Sequence, residues 1–134
     1  MEKSNPGIQS KVQKTILVVD DDEAIRLLIT SFFEKDYKIV TMNDGHEALV
    51  YLGEGHVPDL ILLDMEMPKM NGRVFLRRVR FGDSTHNKIP IIFITSVSSK
   101  AIIHSTLKLN VDDYITKPFK PEELIDKVHG ILPL

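Results

Sequence analysis

Carboxylates are the residues of this chain best placed to do chemistry. Asp20, Asp21 and Asp22 stand in a row directly after the apolar run Ile16-Leu17-Val18-Val19. Asp64 stands directly after Leu60-Ile61-Leu62-Leu63. Thr95 closes a third such run, Ile91-Ile92-Phe93-Ile94, and Lys117 follows Tyr114-Ile115-Thr116. Oxygen ligands of this kind suit Mg²⁺, which takes one or two carboxylates, waters and a substrate phosphate. Asp21 and Asp64 can supply the carboxylates. A carboxylate can also be the nucleophile that forms an aspartyl phosphate. With an ordinary pKa of ~3.9, Asp64 is expected to be ionised at neutral pH. Clustered carboxylates oppose that ionisation, and a metal offsets the opposition. Phosphoryl transfer is catalysed largely by positioning and charge. Lys117 and the metal would hold the phosphoryl charge from two sides, and the Thr95 hydroxyl can donate a hydrogen bond to it.

For these groups to meet, the runs before them must be strands of one sheet. Continuous apolar runs rich in Ile, Val and Leu are what strands buried on both faces look like. They are expected over Thr15–Asp20, Tyr37–Met42, Asp59–Leu63, Ile91–Thr95 and Asp113–Thr116. Helices are expected between and after them. The first runs from about Glu23 to Glu34, with Ala24, Ile25, Leu28, Ile29 and Phe32 at helical spacing and Asp22 as its cap. The second covers Glu47–Leu52 after the turn Asn43-Asp44-Gly45, and Gly53 and Gly55 stop it. The third covers Arg73–Arg80, with Val74, Phe75, Leu76 and Val79 inward and Arg77, Arg78 and Arg80 mostly in water. The fourth starts at Ser98 or Ser99 and reaches about Leu109. The fifth starts at Pro121 and reaches Ile131. Five short strands alternating with five helices predict an α/β fold with a parallel sheet covered on both faces. In such a sheet ligands bind outside the carboxyl ends of the strands, which is where the candidate residues fall.

Composition agrees with one folded unit. The 134 residues are 43% hydrophobic and 27% charged, with a net charge of −2. Neither general disorder nor a polyanion-binding surface is indicated. The absence of cysteine excludes disulfides, zinc–thiolate sites and a thiol nucleophile. No apolar run approaches the ~20 residues that span a bilayer, and Met1–Lys14 has no apolar stretch of a secretory signal. Residues 1–14, with Pro6-Gly7 and no periodicity, are expected to be a flexible tail, residues 15–134 the domain, and the location cytoplasmic.

Each candidate has a plainer reading when taken alone. The Asp triplet could only cap a helix, Asp64 could start a turn, and Thr95 could be an ordinary strand residue. Lys117 could be solvated and Tyr114 could be half-buried packing. Their joint placement after four strands outweighs those readings. The five histidines show no metal-ligand spacing, and Arg73–Arg80 reads as a solvated helix face.

With these residues in view, the chain resembles the response-regulator receiver domains of two-component signalling. The matching segments are ILVVDDD (16–22), NDGHEAL (43–49), PDLILLDMEMPKMNG (58–72), PIIFITS (90–96) and DDYITKPFKPEEL (112–124). They cover about residues 15–132. The resemblance implies a flavodoxin-like, doubly wound sheet of order 2-1-3-4-5, like that of chemotaxis regulators. It implies that Asp64 accepts a phosphoryl group from a histidine kinase or a histidine phosphotransfer protein. It further implies Mg²⁺ on Asp21 and Asp64, on Asp20 through water, and on the backbone carbonyl of Glu66. Thr95 and Tyr114 would sense the phosphate, and Lys117 would pair with it, next to a Lys117–Pro118 bond that is usually cis in the family. The only catalysis implied is of the chain's own phosphorylation and dephosphorylation. The face of the fourth helix, fifth strand and fifth helix, with Lys100, His104, Lys108, Tyr114 and Thr116, would meet an unknown output partner. Direct nucleic-acid or membrane binding is not implied, and the state would be a monomer or a phosphorylation-dependent dimer.

The chain departs from the family pattern in places. Asn110-Val111 replaces the frequent Gly-Ala, and Asn tolerates the left-handed conformation that Gly favours. Asn71-Gly72 replaces Asp-Gly. Glu66 and Val97, two residues after Asp64 and Thr95, give no obvious help to an attacking water, so slow autodephosphorylation is expected. Two other functions remain in view. One is an interaction module that works without phosphorylation. The other is a phosphatase of the haloacid dehalogenase type, for which Asp20-Asp21-Asp22 has the spacing, although the chain is short for one. The final helix leaves room only for Leu132-Pro133-Leu134 in this sequence. That fits a single-domain regulator or a receiver taken from a longer one.

Overall fold

The computed structural model describes residues 12–96, 104, 105, 108 and 111–134. The flexible tail expected over 1–14 lies outside these residues except for its last three. The helix expected from Ser98 or Ser99 to Leu109 also lies outside them, apart from His104 and Ser105, which are helical. Val97, Lys100 and Asn110 lie outside as well.

The described elements are β1 (Thr15–Val19), α1 (Glu23–Phe33), β2 (Lys38–Met42), α2 (Gly45–Gly53), β3 (Leu60–Asp64), α3 (Gly72–Arg80), β4 (Ile91–Thr95), β5 (Asp113–Thr116) and α4 (Pro121–Ile131). All neighbouring strands are parallel and the sheet order is β2-β1-β3-β4-β5. The resemblance implied this order, and it is present.

Alternation along each strand divides the core in two. Leu17, Val19, Ile61, Leu63, Ile91 and Phe93 pack with Ala48 and Leu52 of α2 and Phe75, Leu76 and Val79 of α3. Ile16, Val18, Leu60, Leu62, Ile92, Ile94 and Ile115 pack with Ile29 and Phe33 of α1 and Leu124 and Val128 of α4. Side chains of successive strand residues point to opposite faces, so unbroken apolar runs serve two layers of helices at once. Burying each such side chain fully is worth ~1.5–3 kcal/mol relative to exposure.

Caps fix where the helices start. The Asp22 side chain accepts from the Ala24 N–H, Asp44 from Glu47, and Asn71 from Val74. The second helix therefore begins at Gly45, earlier than the Glu47 expected from apolar spacing, because Asp44 is its cap. Gly55, at φ 98°, lies in the left-handed region that follows many helix ends.

Three expectations about side chains need correction. On α1 the buried stripe runs through Ile29 and Phe33, while Ala24 and Leu28 are exposed. On α3 the buried positions are 72, 75, 76 and 79, so Val74 lies off that stripe and is exposed. Arg80 is not mostly in water. Its side chain is only 7% exposed, 3.9 Å from Asp112, and it donates to the Asn87 carbonyl. Burial lowers the Arg80 pKa and the Asp112 carboxylate counters that effect.

Candidate functional site: an acidic cluster at the carboxyl edge of the sheet

The site lies where β1 and β3 end side by side. In the order β2-β1-β3-β4-β5, the chain steps from β1 to one edge and then builds the rest of the sheet on the other side. This reversal opens a crevice at the carboxyl ends of β1 and β3. The β1–β3 register pairs Val19 with Leu63, so the residues next along each chain, Asp20 and Asp64, are neighbours.

Asp20, Asp21 and Asp64 each present a carboxylate oxygen, and the three oxygens lie within 4.8 Å of one another. Asp20 is 2% exposed and Asp64 3% exposed, whereas Asp21 is open to solvent. Lys117 reaches in from the end of β5. Its Nζ lies 3.1 Å from Asp20 Oδ2 and 3.5 Å from Asp64 Oδ1. The loop that carries it leaves the sheet through a backbone hydrogen bond from Lys117 N–H to the Thr95 carbonyl, 2.7 Å, and the Lys117–Pro118 bond is cis. Thr95, fully buried at the end of β4, thus helps to place the lysine.

Electrostatics follow from burial and crowding. Burial, with Asp20 and Asp21 adding to it, pushes the Asp64 carboxyl up to about 7, although Lys117 and the Glu66 N–H pull it down. The ionisation expected of Asp64 at neutral pH is thus opposed in the metal-free protein by burial and by the crowded carboxylates, an opposition a metal would offset. For Lys117, burial acts downward, but Asp20 and Asp64 outweigh it and raise the pKa above its usual value. Asp20 has further partners. Its Oδ1 accepts from the Asp22 N–H and its backbone carbonyl accepts from Arg26.

Hard oxygen donors, an excess of negative charge and one open member are features of a site suited to a divalent cation such as Mg²⁺. The residues present fit that group. The Glu66 N–H bonds Asp64 Oδ1 at 3.2 Å, which holds the loop carrying the Glu66 carbonyl against the cluster. Tyr114 is 37% exposed on β5, paired in register with Phe93.

Three neighbours of the site were not singled out from sequence. The Ser96 hydroxyl donates to the Glu66 carboxylate, and Arg26 holds the Asp20 carbonyl. Gly72 abuts the end of β3. A Cβ there would stand 2.4 Å from the Asp64 carbonyl oxygen and 2.8 Å from Met65 Cα. Only the Asn71-Gly72 pair carries a sequence signal, as the counterpart of the Asp-Gly common in the family. The other two depend on contacts across the fold.

Comparison with known proteins places this geometry. The family model described as the response regulator receiver domain matches residues 16–129. The chain is 39% identical over 121 residues to a probable transcriptional regulator, ycf27, of Cyanophora paradoxa, covering 90% of this chain and 48% of that protein. It is 38% identical over 122 residues to the alkaline phosphatase synthesis transcriptional regulatory protein PhoP of Bacillus subtilis, covering 90% and 49%. The chain thus spans about half the length of these curated relatives. Among solved structures it is similar to the chemotaxis protein CheY4 of Vibrio cholerae, with a TM-score of 0.81, 28% identity, and coverage of 90% of this chain and 99% of that one.

Proposed function

This chain belongs to the response regulator receiver domain family, and from that premise we propose that Asp64 is its phosphoryl acceptor. The observation that carries the reading is the arrangement at Asp64: a buried carboxylate beside Asp20 and Asp21, with the Lys117 ammonium 3.5 Å away. Family membership implies a histidine kinase as the source of the phosphoryl group. A histidine phosphotransfer protein would offer the same phosphohistidine.

In the proposed step an Asp64 oxygen forms a bond to phosphorus while the P–N bond of the donor's phosphohistidine breaks. The electron pair of that bond returns to the imidazole. Lys117 neutralises charge on the phosphoryl oxygens, and the Thr95 hydroxyl donates to one of them. Both groups are fixed before the reaction by strand ends, so little reorganisation is required. Receiver domains bind Mg²⁺ at an acidic Asp cluster. Here Asp20, Asp21, Asp64 and the backbone carbonyl of Glu66 would hold it. When bound, the metal supplies positive charge that keeps Asp64 ionised and stabilises the transferring group. Asp64 and Lys117 are the catalytic residues on this reading, and no turnover of an outside substrate is proposed. Glu66 and Val97, two residues after Asp64 and Thr95, offer no obvious help to an attacking water, so slow loss of the phosphoryl group is part of this reading.

Phosphorylation would shift an existing equilibrium between two surface states, with Thr95 and Tyr114 as the sensing residues. His104, Lys108, Tyr114 and Thr116 are exposed or partly so on the proposed output face. The relatives named as transcriptional regulators are about twice as long, so binding of nucleic acid is not assigned to this domain. Residues 15–134 are taken as one receiver unit, monomeric or dimerising on phosphorylation. No helix among the described residues is long and apolar enough to cross a membrane. A cytoplasmic location is part of the same proposal.

The test is incubation with acetyl phosphate and Mg²⁺, followed by intact-mass measurement, for the wild type and Asp64→Asn. One added phosphoryl group, in the wild type only and only with the metal, is the expected result. No gain in a protein that demonstrably binds Mg²⁺ would favour a module that acts without phosphorylation. Hydrolysis of a small phosphate ester, lost in Asp20→Asn but kept in Asp64→Asn, would favour a phosphatase instead.

A further inference from the structure

The outward face of α3 has no role in the site described above. Arg73, Arg77 and Arg78 are all exposed there, and Val74 and Phe81 lie among them at 39% and 74% exposure. Helical spacing puts 73, 77 and 81 on one stripe and 74, 78 and 81 on its neighbour. The helix contains no acidic residue in its first turn, and three of its arginines lie in the last turn. Arginines at the carboxyl end suit the helix dipole, so Arg77, Arg78 and Arg80 have an internal explanation. Arg73 has none. It places positive charge in the first turn and repels Arg77 four residues on. Arg73, Arg77 and Arg78 form no ion pair among the described residues; Arg80, by contrast, is buried beside Asp112. Phe81 is left in water with the Arg77 guanidinium 5.8 Å from its ring centroid.

We infer that this face docks a partner protein through an acidic segment that carries an apolar side chain, with the apolar group seated between Val74 and Phe81. Charge complementarity selects the occupant. Three unpaired guanidinium groups present forks suited to carboxylates, and an exposed aromatic among arginines is typical of interface anchors. The chain as a whole carries −2 and its acidic cluster lies at the carboxyl edge of the same sheet, which disfavours a polyanion such as nucleic acid. Two apolar side chains give too little area for a membrane surface. A second copy could offer Glu122, Glu123 and Asp126 of α4. The basic face on α3 and the acidic face on α4 cover opposite sides of the sheet, so contacts between copies would run head to tail rather than close into a twofold dimer.

The test uses a fluorescein-labelled peptide of alternating Glu and Leu, and a control with Gln in place of Glu. The proposal does not depend on Asp64, so unphosphorylated protein and Asp64→Asn serve equally. Binding of the Glu peptide is expected, weakened about tenfold or more by Arg73→Gln/Arg77→Gln/Arg78→Gln and by raising salt from ~0.05 M to ~0.5 M. Phe81→Ser is expected to weaken it as well, and both variants should stay folded with only a small drop in melting temperature, because all four positions are exposed and the arginine variant gives up only the dipole interaction of Arg77 and Arg78. Equal binding of the Gln peptide, or no loss in the arginine variant, would overturn the inference. So would tighter binding to a single-stranded oligonucleotide or to vesicles of anionic lipid than to the Glu peptide. Concentration-dependent self-association abolished by the arginine changes would also overturn it, in favour of a second copy.

Discussion

At the residue scale, Asp64 is held between opposite influences. Burial and two neighbouring carboxylates favour its proton, while Lys117 and a backbone N–H favour its charge, and the balance lies at about 7. Its ordinary value is 3.8. Between these two pH values the unfolded chain gives up the proton and the folded protein keeps it. The metal-free fold therefore loses stability as pH rises from about 4 to about 7, and the effect levels off above 7. Metal binding has the opposite slope. Below pH 7 a cation must displace the proton, so the apparent affinity for Mg²⁺ is expected to fall about tenfold per pH unit and to be flat above pH 7. Calorimetric titrations in two buffers of different ionisation enthalpy would measure the proton released. An affinity independent of pH between 5 and 8 would contradict the assignment. Lys117→Met removes the one ammonium that lies beside Asp20 and Asp64 among the described residues. Its Asp64 is expected to titrate higher still, and acetyl phosphate should label it far more slowly than the wild type, as read by intact mass.

At the element scale, strand ends and helix starts position the site. Gly72 begins α3 against the back of the acceptor strand, and the missing side chain is what permits the approach. Gly72→Ala would put a Cβ 2.4 Å from the Asp64 carbonyl oxygen and 2.8 Å from the Phe93 ring. Backbone cannot yield there as a flexible side chain could. A cost of about 2–3 kcal/mol is expected in urea denaturation, as for overpacking in a core. Asn71→Ala removes the cap on Val74 instead and should cost about 1 kcal/mol. If the two changes proved equally mild, the close packing of α3 on β3 would not be what sets the acceptor loop.

At the scale of the whole molecule, the sheet joins stability to ligand binding. The proposed metal ligands come from the ends of two strands, β1 and β3, which only folding brings together, so a cation held by them would bind only the folded chain. Mg²⁺ at ~100 times its dissociation constant should add about 2.7 kcal/mol of stability, visible as a melting temperature that rises with metal concentration. Asp21→Asn, which removes the exposed carboxylate of the three, should shift that rise to higher Mg²⁺ while leaving the metal-free melting temperature nearly unchanged. Other long-range ties are structural. The Tyr37 hydroxyl donates to the Leu132 carbonyl, and Lys127 pairs with Asp113 at 2.9 Å, which fastens α4 to β5 and to the segment before β2.

Much of this was legible in the sequence, because a strand buried on both faces must be apolar without interruption and its first charged residue marks where it leaves the core. That rule located Asp20, Asp64 and Lys117 at one edge, and the residue motifs supplied the order of the sheet. Local periodicity served less well in fixing which face of a helix is buried. Val74 and Leu28 have the right hydrophobicity but the wrong angle, and Arg80 has the wrong chemistry for burial until Asp112 is brought beside it. What only the tertiary structure decided depends on distance between residues far apart in the chain. It set the Asp64 carboxyl near 7 by stacking burial and two acids against one lysine, and it joined Ser96 to Glu66. It made Gly72 indispensable by pressing its backbone against the acceptor. Sequence determines which groups reach the edge of the sheet; the packed fold determines how strongly they act on one another, since electrostatic and steric energies depend on separations that no linear spacing specifies.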